Sequence, residues 1–494
     1  MWSEVEGSGI LADCQLFGGH YSGRSGWSAF LRSGSDAQSL FSPSPHAPER
    51  VAVGSSESAV IEASGASLPG RGHWFFTPAP FCYGLSPERP PPASSSLPDG
   101  PWLMLGLAAA PRAHSFTAFA YDALEDGFSL RLPYEGHTRV NGSFRTPAVV
   151  FVFGCADPHL GIARHTAILR ERGLLPPPAE RPRPAWWSRP IFCGWGAQCH
   201  LAGPGRASDL SRQDRYDGFL AALESHGVYP GTVIIDDKWQ RSYALSDVDE
   251  AKWPDLPGWI ARRHATGQRV LLWWKAWDPE GLPADQCVRN AAGMPVTADP
   301  TDPGYERTLR QSVRRMLSPD GYGADGLKID FTALTPSGSS LVSNGDAWGI
   351  ELLHRLLAIV RDEAKRAKPD ALILGHAAAP YFAPLLDMVR LNDMLRLYDA
   401  RPGAPVVEHM RHRAATARAA CPELLVDTDN WAAPDRATWR AYVLAQPELG
   451  VPCLYYATHI DRSGEALEAE DYAAIRFAWA RHEAGGAGAA ALGR

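Results

Sequence analysis

Lys328 and Asp330 stand two residues apart in Gly326-Leu327-Lys328-Ile329-Asp330-Phe331. In a strand, period-2 alternation puts both side chains on one face and Leu327 and Ile329 on the other. A cation beside a carboxylate favours the ionised form, and an ionised carboxylate at a strand end suits a nucleophile. A salt bridge closing the interior of the sheet is the competing, structural role. Asp236 and Asp237, in Thr232-Val233-Ile234-Ile235-Asp236-Asp237-Lys238-Trp239-Gln240, pose a different case. Adjacent strand residues face opposite ways, so at most one of the pair projects fully inward unless the strand ends there. Trp239 shares parity with Asp237, which suits hydroxyl binding plus ring stacking. Capping of a following helix is the structural alternative.

The same grammar, an apolar run ending in polar or aromatic groups, recurs along the chain. The run at 191–198 carries Trp195, and 270–277 carries Trp273, Trp274, Lys275 and Trp277. The run at 372–376 ends in His376, 388–393 holds Arg390 and Asp393, and 424–430 holds Asp427 and Asp429. The last, at 453–460, ends in His459 with Asp461 just beyond. Three of only six lysines (Lys238, Lys275 and Lys328) fall at such ends, a clustering that argues for one polar pocket. Any one of these aspartates, taken alone, is as well explained as a solvated rim residue.

Amphipathic helical patterns at 216–225, 305–317, 348–367, 409–420 and 436–445 separate the runs, and a last helix lies at about 470–482. Eight strand–helix units within residues 190–484 predict an α/β fold, a TIM (β/α)8 barrel, whose catalytic groups sit at the C-terminal strand ends. A doubly wound sheet would show a glycine-rich phosphate turn after its first strand, and none is present. Residues 1–175 read as an N-terminal antiparallel β-sandwich domain, with strands at 102–107, 115–121, 128–132 and 148–153 and a connecting helix at 161–174. Residues 89–96 read as a surface loop, 176–189 as a Pro-rich linker, and 485–494 as a Gly/Ala-rich tail.

Composition narrows the partners. A charged fraction of 21% against 45% hydrophobic excludes wholesale disorder, and a net charge of −7 argues against nucleic acid. The 17 Trp, 15 Tyr and 17 Phe lean towards ring-faced ligands such as sugars, although large cores also use aromatics. The eight cysteines lack any C-x-x-C pair and several lie in apolar runs, so buried thiols are expected rather than a zinc knuckle or a disulfide scaffold. The strand ends lack the grouped His and Glu of a barrel metallohydrolase, so no metal and no other cofactor is expected. A metal-dependent barrel lyase or epimerase would need carboxylates on strands three to five, where Lys275 and His376 stand. No leader pattern opens the chain and no apolar run reaches membrane-spanning length. The expectation is a soluble cytoplasmic protein without a membrane partner. Its oligomeric state is left open.

The motifs 232–240, 326–331 and Ile191-Phe192-Cys193-Gly194-Trp195 together resemble glycoside hydrolase family 36, over roughly residues 190–465 and in the family's order. That family contains α-galactosidases, and raffinose synthases are among its relatives. The resemblance implies a β-sandwich before the barrel and a retaining, exo-acting mechanism with two aspartates. It implies Asp330 as nucleophile and Asp393 as acid/base, with Arg390 upstream on the sixth strand. The paired Asp236 and Asp237 match the family's sugar-hydroxyl ligands, and Trp195, Trp273 and Lys328 match further binding positions. Leu425-Val426-Asp427-Thr428-Asp429-Asn430-Trp431 also resembles the acid/base region of family 31, which would make Asp429 the acid. That register leaves the barrel one strand short, which favours Asp393 and keeps Asp429 as the alternative.

The expected substrate is a small carbohydrate, an α-galactoside by resemblance, bound by Trp195, Asp236, Asp237, Trp239, Trp273, Lys275, Lys328, His376, Arg390 and Asp429. Lys275 opens two readings: a site for an anionic or otherwise decorated sugar, or a salt bridge with Asp278 or Glu280. A transglycosylase using the same carboxylates and a non-catalytic carbohydrate-binding protein are the alternatives.

Overall fold

Apolar runs rich in Val, Ile and Leu, buried on both faces, make the strands of an all-parallel sheet. The computed structural model describes residues 4–20, 29–32, 40–41, 50–52, 82–86, 101–122, 127–178, 183–376, 378–394 and 406–492. The expected loop at 89–96 lies outside the described residues, as do residues 179–182 of the expected linker.

The barrel strands are β1 (Ile191–Cys193), β2 (Thr232–Ile235), β3 (Arg269–Lys275), β4 (Gly326–Asp330), β5 (Leu372–Gly375), β6 (Met388–Arg390), β7 (Leu425–Asp427) and β8 (Cys453–Leu454). Neighbours in this order pair in parallel from β1 to β7, and β8 returns to β1 through Ile191↔Cys453 and Phe192↔Leu454. A parallel bridge between Asp427 and Val451 joins the remaining edge, where the Val451 N–H donates to the Val426 carbonyl at 2.7 Å. The expected TIM barrel is the observed fold.

Helices Gln213–Ser225, Leu256–Ala265, Pro303–Leu317, Ile350–Ala367, Val406–Ala420 and Arg436–Leu449 surround it. Their starts are written in the sequence. Asp302 accepts the Tyr305 N–H at 2.9 Å with Pro303 in the first turn, and Asp435 accepts the Thr438 N–H at 2.7 Å. In Ile350–Ala367 the buried Leu352, Leu353, Leu356, Leu357 and Val360 form the stripe that faces the strands.

Three elements differ from expectation. Residues 195–198 continue not as strand but as the helix Trp195–Ala202, which starts immediately after β1. Gly196 permits this, because a Cβ there would stand 2.7 Å from the Tyr455 carbonyl at the end of the barrel wall. The helix Leu256–Ala265 was not expected. The last helix, Ala469–Leu492, runs on through the Gly/Ala-rich segment that was expected to be a tail.

Ahead of the barrel lie two antiparallel sheets. One runs Glu4–His20, Gly127–Arg145, Ala118–Asp122, Arg50–Ala52; the other runs Leu40–Phe41, Ala29–Arg32, Cys82–Ser86, Trp102–Ala108, Ala148–Cys155. They form the expected sandwich. Where Leu11↔Thr138 gives way to Asp13↔Pro133, residues 134–137 bulge out towards the barrel. There Glu135 accepts the Gly338 N–H at 2.8 Å and the Trp348 indole N–H at 3.0 Å, while His137 stacks on Trp348 at 3.6 Å. The sandwich thereby braces the loop that follows β4.

Candidate active site at the C-terminal strand ends

Asp330 ends β4 and faces groups from β3, the end of β5 and β6. Its Oδ2 accepts the Trp273 indole N–H from β3 at 2.9 Å. Its Oδ1 accepts the Phe331 N–H at 2.8 Å and faces His376 Nε2, just past β5, at 2.9 Å. Arg390 Nη1, from β6, lies 3.7 Å from Oδ2. Phe331 takes the left-handed conformation (φ 60°), a strained choice for a bulky residue that turns the chain sharply after the carboxylate.

Burial alone would raise the Asp330 carboxyl. His376, Arg390 and Lys328 overcome it and hold the group well below the usual carboxylate range. His376 is itself lowered by burial and by Arg390, so the ring is neutral near pH 7. Its share is therefore a hydrogen bond, and the standing positive charges are Arg390 and Lys328. Arg390 Nη1 can only donate, yet it lies 2.8 Å from the same His376 Nε2. That nitrogen serves Asp330 when protonated and Arg390 when not, one neighbour at a time.

Lys328 shares the inward face with Asp330, but its close partner is Asp236, at 2.5 Å. The Cys193 thiol donates to the same Asp236 Oδ2 at 3.0 Å, and Asp236 Oδ1 accepts the Asp237 N–H at 2.9 Å. Both oxygens of Asp236 are thus engaged inside the barrel, and the interior salt bridge of Lys328 is made to Asp236 and not to Asp330. Asp237 is placed differently. Its Oδ1 accepts the Tyr243 O–H at 2.8 Å, and its Oδ2 has no partner among the described residues. Burial raises the Asp237 carboxyl to about 6, with Asp236 and Asp330 adding to the rise and Tyr243 and Lys275 opposing it.

Trp239 is a correction. Its ring is wholly buried and its N–H donates to the Trp273 carbonyl at 2.8 Å, so it packs beneath the site and is no wall for a ligand. Strand β2 ends at Ile235, and the period-2 argument that placed Trp239 does not extend past that end.

Arg390 organises the other side. Its Nε donates to Asp429 Oδ2 at 3.0 Å and its Nη2 donates to the same oxygen, while Nη2 also lies 3.4 Å from Asp393 Oδ1. Asp429 is sealed, whereas the Asp393 side chain keeps 13% of its surface open. Burial, then the charge of Asp429, push the Asp393 carboxyl well above its ordinary value, with Asp330 adding to them. Arg413, itself buried, donates to the Leu391 carbonyl at 2.7 Å and the Asp393 carbonyl at 2.7 Å, fixing the backbone that presents Asp393. Asp427 lies deeper, raised by burial to about 6, and its Oδ1 accepts the Asp429 N–H at 3.0 Å.

Aromatic and charged groups line the rim. Trp195 meets Trp431 edge to face at 6.0 Å, and the Trp431 indole donates to Asp461 at 3.2 Å. Lys275 pairs with Asp278 at 2.7 Å and lies 4.4 Å from the Tyr243 ring centre, so the salt-bridge reading of this lysine is the one observed. Of the expected set, Trp273, His376, Arg390, Asp330, Asp393 and Asp429 meet around one guanidinium and one carboxylate, Lys328 and Asp236 pair with each other inside the barrel, Asp237 and Lys275 stand beside them, and Trp195 is at the edge. Tyr243, Trp431 and Arg413 were missed, as was Asn392, whose Oδ1 meets His376 Nδ1. Trp431 was within reach, two residues after Asp429. Tyr243 sits in a polar loop with no periodicity to single it out. Among the described residues no group of three or more His, Cys, Asp or Glu is placed to hold a metal ion, and no helix is long and apolar enough to cross a membrane.

No family model matches the chain, and no curated protein does. Solved structures share its fold. The cycloalternan-degrading enzyme from Trueperella pyogenes superposes with a TM-score of 0.61 at 13% identity, over 96% of this chain and 67% of that one. Its complex with a covalent intermediate superposes at 0.58 and 13% identity, over 96% of this chain and 64% of that one. An alpha-galactosidase from Thermus thermophilus in complex with stachyose superposes at 0.56 and 16% identity, over 97% of this chain and 96% of that one. The chain thus spans about two thirds of the first enzyme and nearly all of the second, and at these identities the likeness is one of fold.

Proposed function

We propose that this protein is a retaining, exo-acting α-glycosidase that removes one terminal galactose-like residue, with Asp330 as nucleophile and Asp393 as acid/base. One observation carries the reading: two carboxyls stand beside the same Arg390 guanidinium, and their surroundings push them in opposite directions, Asp330 down and Asp393 up. A double displacement needs that pair, one ionised and one protonated. The fold shared with an alpha-galactosidase and the motif order of family 36 support the same reading.

In the first step Asp330 attacks the anomeric carbon while Asp393 gives its proton to the leaving oxygen. The Trp273 indole and Phe331 N–H bonds, joined by His376 when its Nε2 carries the proton, fix the orientation of Asp330 and favour its ionised form until the covalent bond forms. In the second step Asp393, now ionised, takes a proton from water, which attacks the same carbon and frees Asp330. Trp273, buried like Trp239, would act through its indole N–H on Asp330, and Asp237 would accept a sugar hydroxyl. The buried thiols of Cys193, Cys421 and Cys453 suit a reducing compartment, in keeping with action in the cytoplasm.

Proton NMR of an aryl α-galactoside hydrolysis tests the reading. The α-anomer of the free sugar should appear first and then mutarotate. Release of the β-anomer first would remove the double displacement.

A further inference from the structure

Tyr243 stands between the two loops that follow β2 and β3. Its O–H donates to Asp237 Oδ1 at 2.8 Å. Its N–H donates to Glu280 Oε2 at 3.0 Å, and the same Oε2 accepts from Lys238. The ring faces two ammonium groups, Lys238 at 3.7 Å and Lys275 at 4.4 Å from its centre, and lies 5.8 Å from the Trp273 ring. Asp278, paired with Lys275 at 2.7 Å, completes the arrangement. A phenol held by two cations and by its own backbone has little freedom to swing. It can therefore impose one orientation on the carboxylate it touches.

Asp236 has both oxygens engaged by Lys328, Cys193 and the Asp237 N–H, so only Asp237 of the pair has an oxygen to offer a ligand. Tyr243 already holds Asp237 Oδ1. We infer that Tyr243 is a specificity-determining positioning residue, which directs Asp237 Oδ2 at a single hydroxyl of a neutral sugar. A rotating carboxylate would accept from either of two adjacent hydroxyls, whereas an oriented one penalises the loss of one hydroxyl far more than the others. The lysines match Asp278 and Glu280 in number, so the arrangement adds no net positive charge that would favour an anionic sugar. This inference rests on the site binding a sugar, not on its turnover.

Calorimetric titration of the full chain with D-galactose and its 2-, 3-, 4- and 6-deoxy analogues reads the effect without turnover. Wild type should lose about tenfold or more in affinity on removal of one hydroxyl beyond the loss from any other, the scale of a hydrogen bond to a charged group. Tyr243→Phe keeps the ring and its cations and should flatten that difference to within about threefold while the melting temperature holds. Because the phenol bond holds the Asp237 carboxyl down, galactose affinity should fall with acid at a higher pH in Tyr243→Phe than in wild type. Asp237→Asn should lose the same selectivity, and adding Tyr243→Phe to it should change little more. An unchanged deoxy-sugar pattern and pH response in Tyr243→Phe overturn the inference, as does a wild type that binds none of these sugars. Sugar binding with the predicted pattern but no hydrolysis would leave the inference standing and remove the glycosidase reading instead.

Discussion

Arg390 binds Asp429 through both Nε, at 3.0 Å, and Nη2, and this pairing separates two aspartates that the sequence left in competition. A sealed carboxylate gripped twice by one guanidinium, with its other oxygen accepting the Trp431 N–H at 3.1 Å, has no oxygen left to serve a substrate. The charge of Asp429 then raises its neighbour Asp393, whose side chain is not sealed. The acid/base role in the proposal follows this asymmetry.

Asp393→Ala should therefore cut turnover of substrates with poor leaving groups by ~10²–10⁴-fold while sparing activated aryl glycosides, and azide should restore activity. Asp429→Ala should depress all leaving groups alike, with no azide rescue, because it frees Arg390 instead of removing a proton donor. Steady-state kinetics on a leaving-group series separates the two. The reverse pattern would move the acid to Asp429.

The pH profile follows from three carboxyls. Asp330 stays ionised across the working range, so it sets no limb. Asp237, raised to about 6, must lose its proton to accept a hydroxyl, so kcat/KM should fall as the pH drops through about 6. Asp393 must keep its proton, so the alkaline limb should lie far above an ordinary carboxylate value. Asp237→Asn should remove the acid limb near 6 and leave the alkaline one. An acid limb that persists in that variant would assign it elsewhere.

How much of this was legible beforehand depended on what kind of signal each residue carried. The barrel strands were readable because continuous Val, Ile and Leu runs have few other uses, and β4 ends on the expected Asp330. The helix after β1 was hidden, since Trp195-Gly196-Ala197-Gln198 continues an apolar run and only the close approach of Tyr455 shows why Gly196 is needed. Glu4–His20, a 17-residue strand, is too rich in glycine and too irregular in register to announce itself. Within the site, residue types were legible but their partners were not. Nothing in the sequence says that Lys328 turns to Asp236, that Trp239 turns under the floor, or that a tyrosine from a polar loop reaches Asp237. Those are consequences of packing between strands far apart in the chain.

Lys275 is held by Asp278, so the site should prefer neutral sugars. A panel of aryl α-galactosides and α-galacturonides should show hydrolysis of the neutral series first. Lys275→Met should weaken activity without inverting that order. Activity confined to acidic sugars and abolished in the variant would assign Lys275 to substrate recognition.

The most direct measurement is mass spectrometry of the full chain after incubation with a 5-fluoro-α-galactosyl fluoride. A covalent fluorosugar should accumulate on the peptide carrying Asp330, and Asp330→Ala should take up no label. Label on another aspartate, or none in a wild type that hydrolyses α-galactosides, would contradict the account.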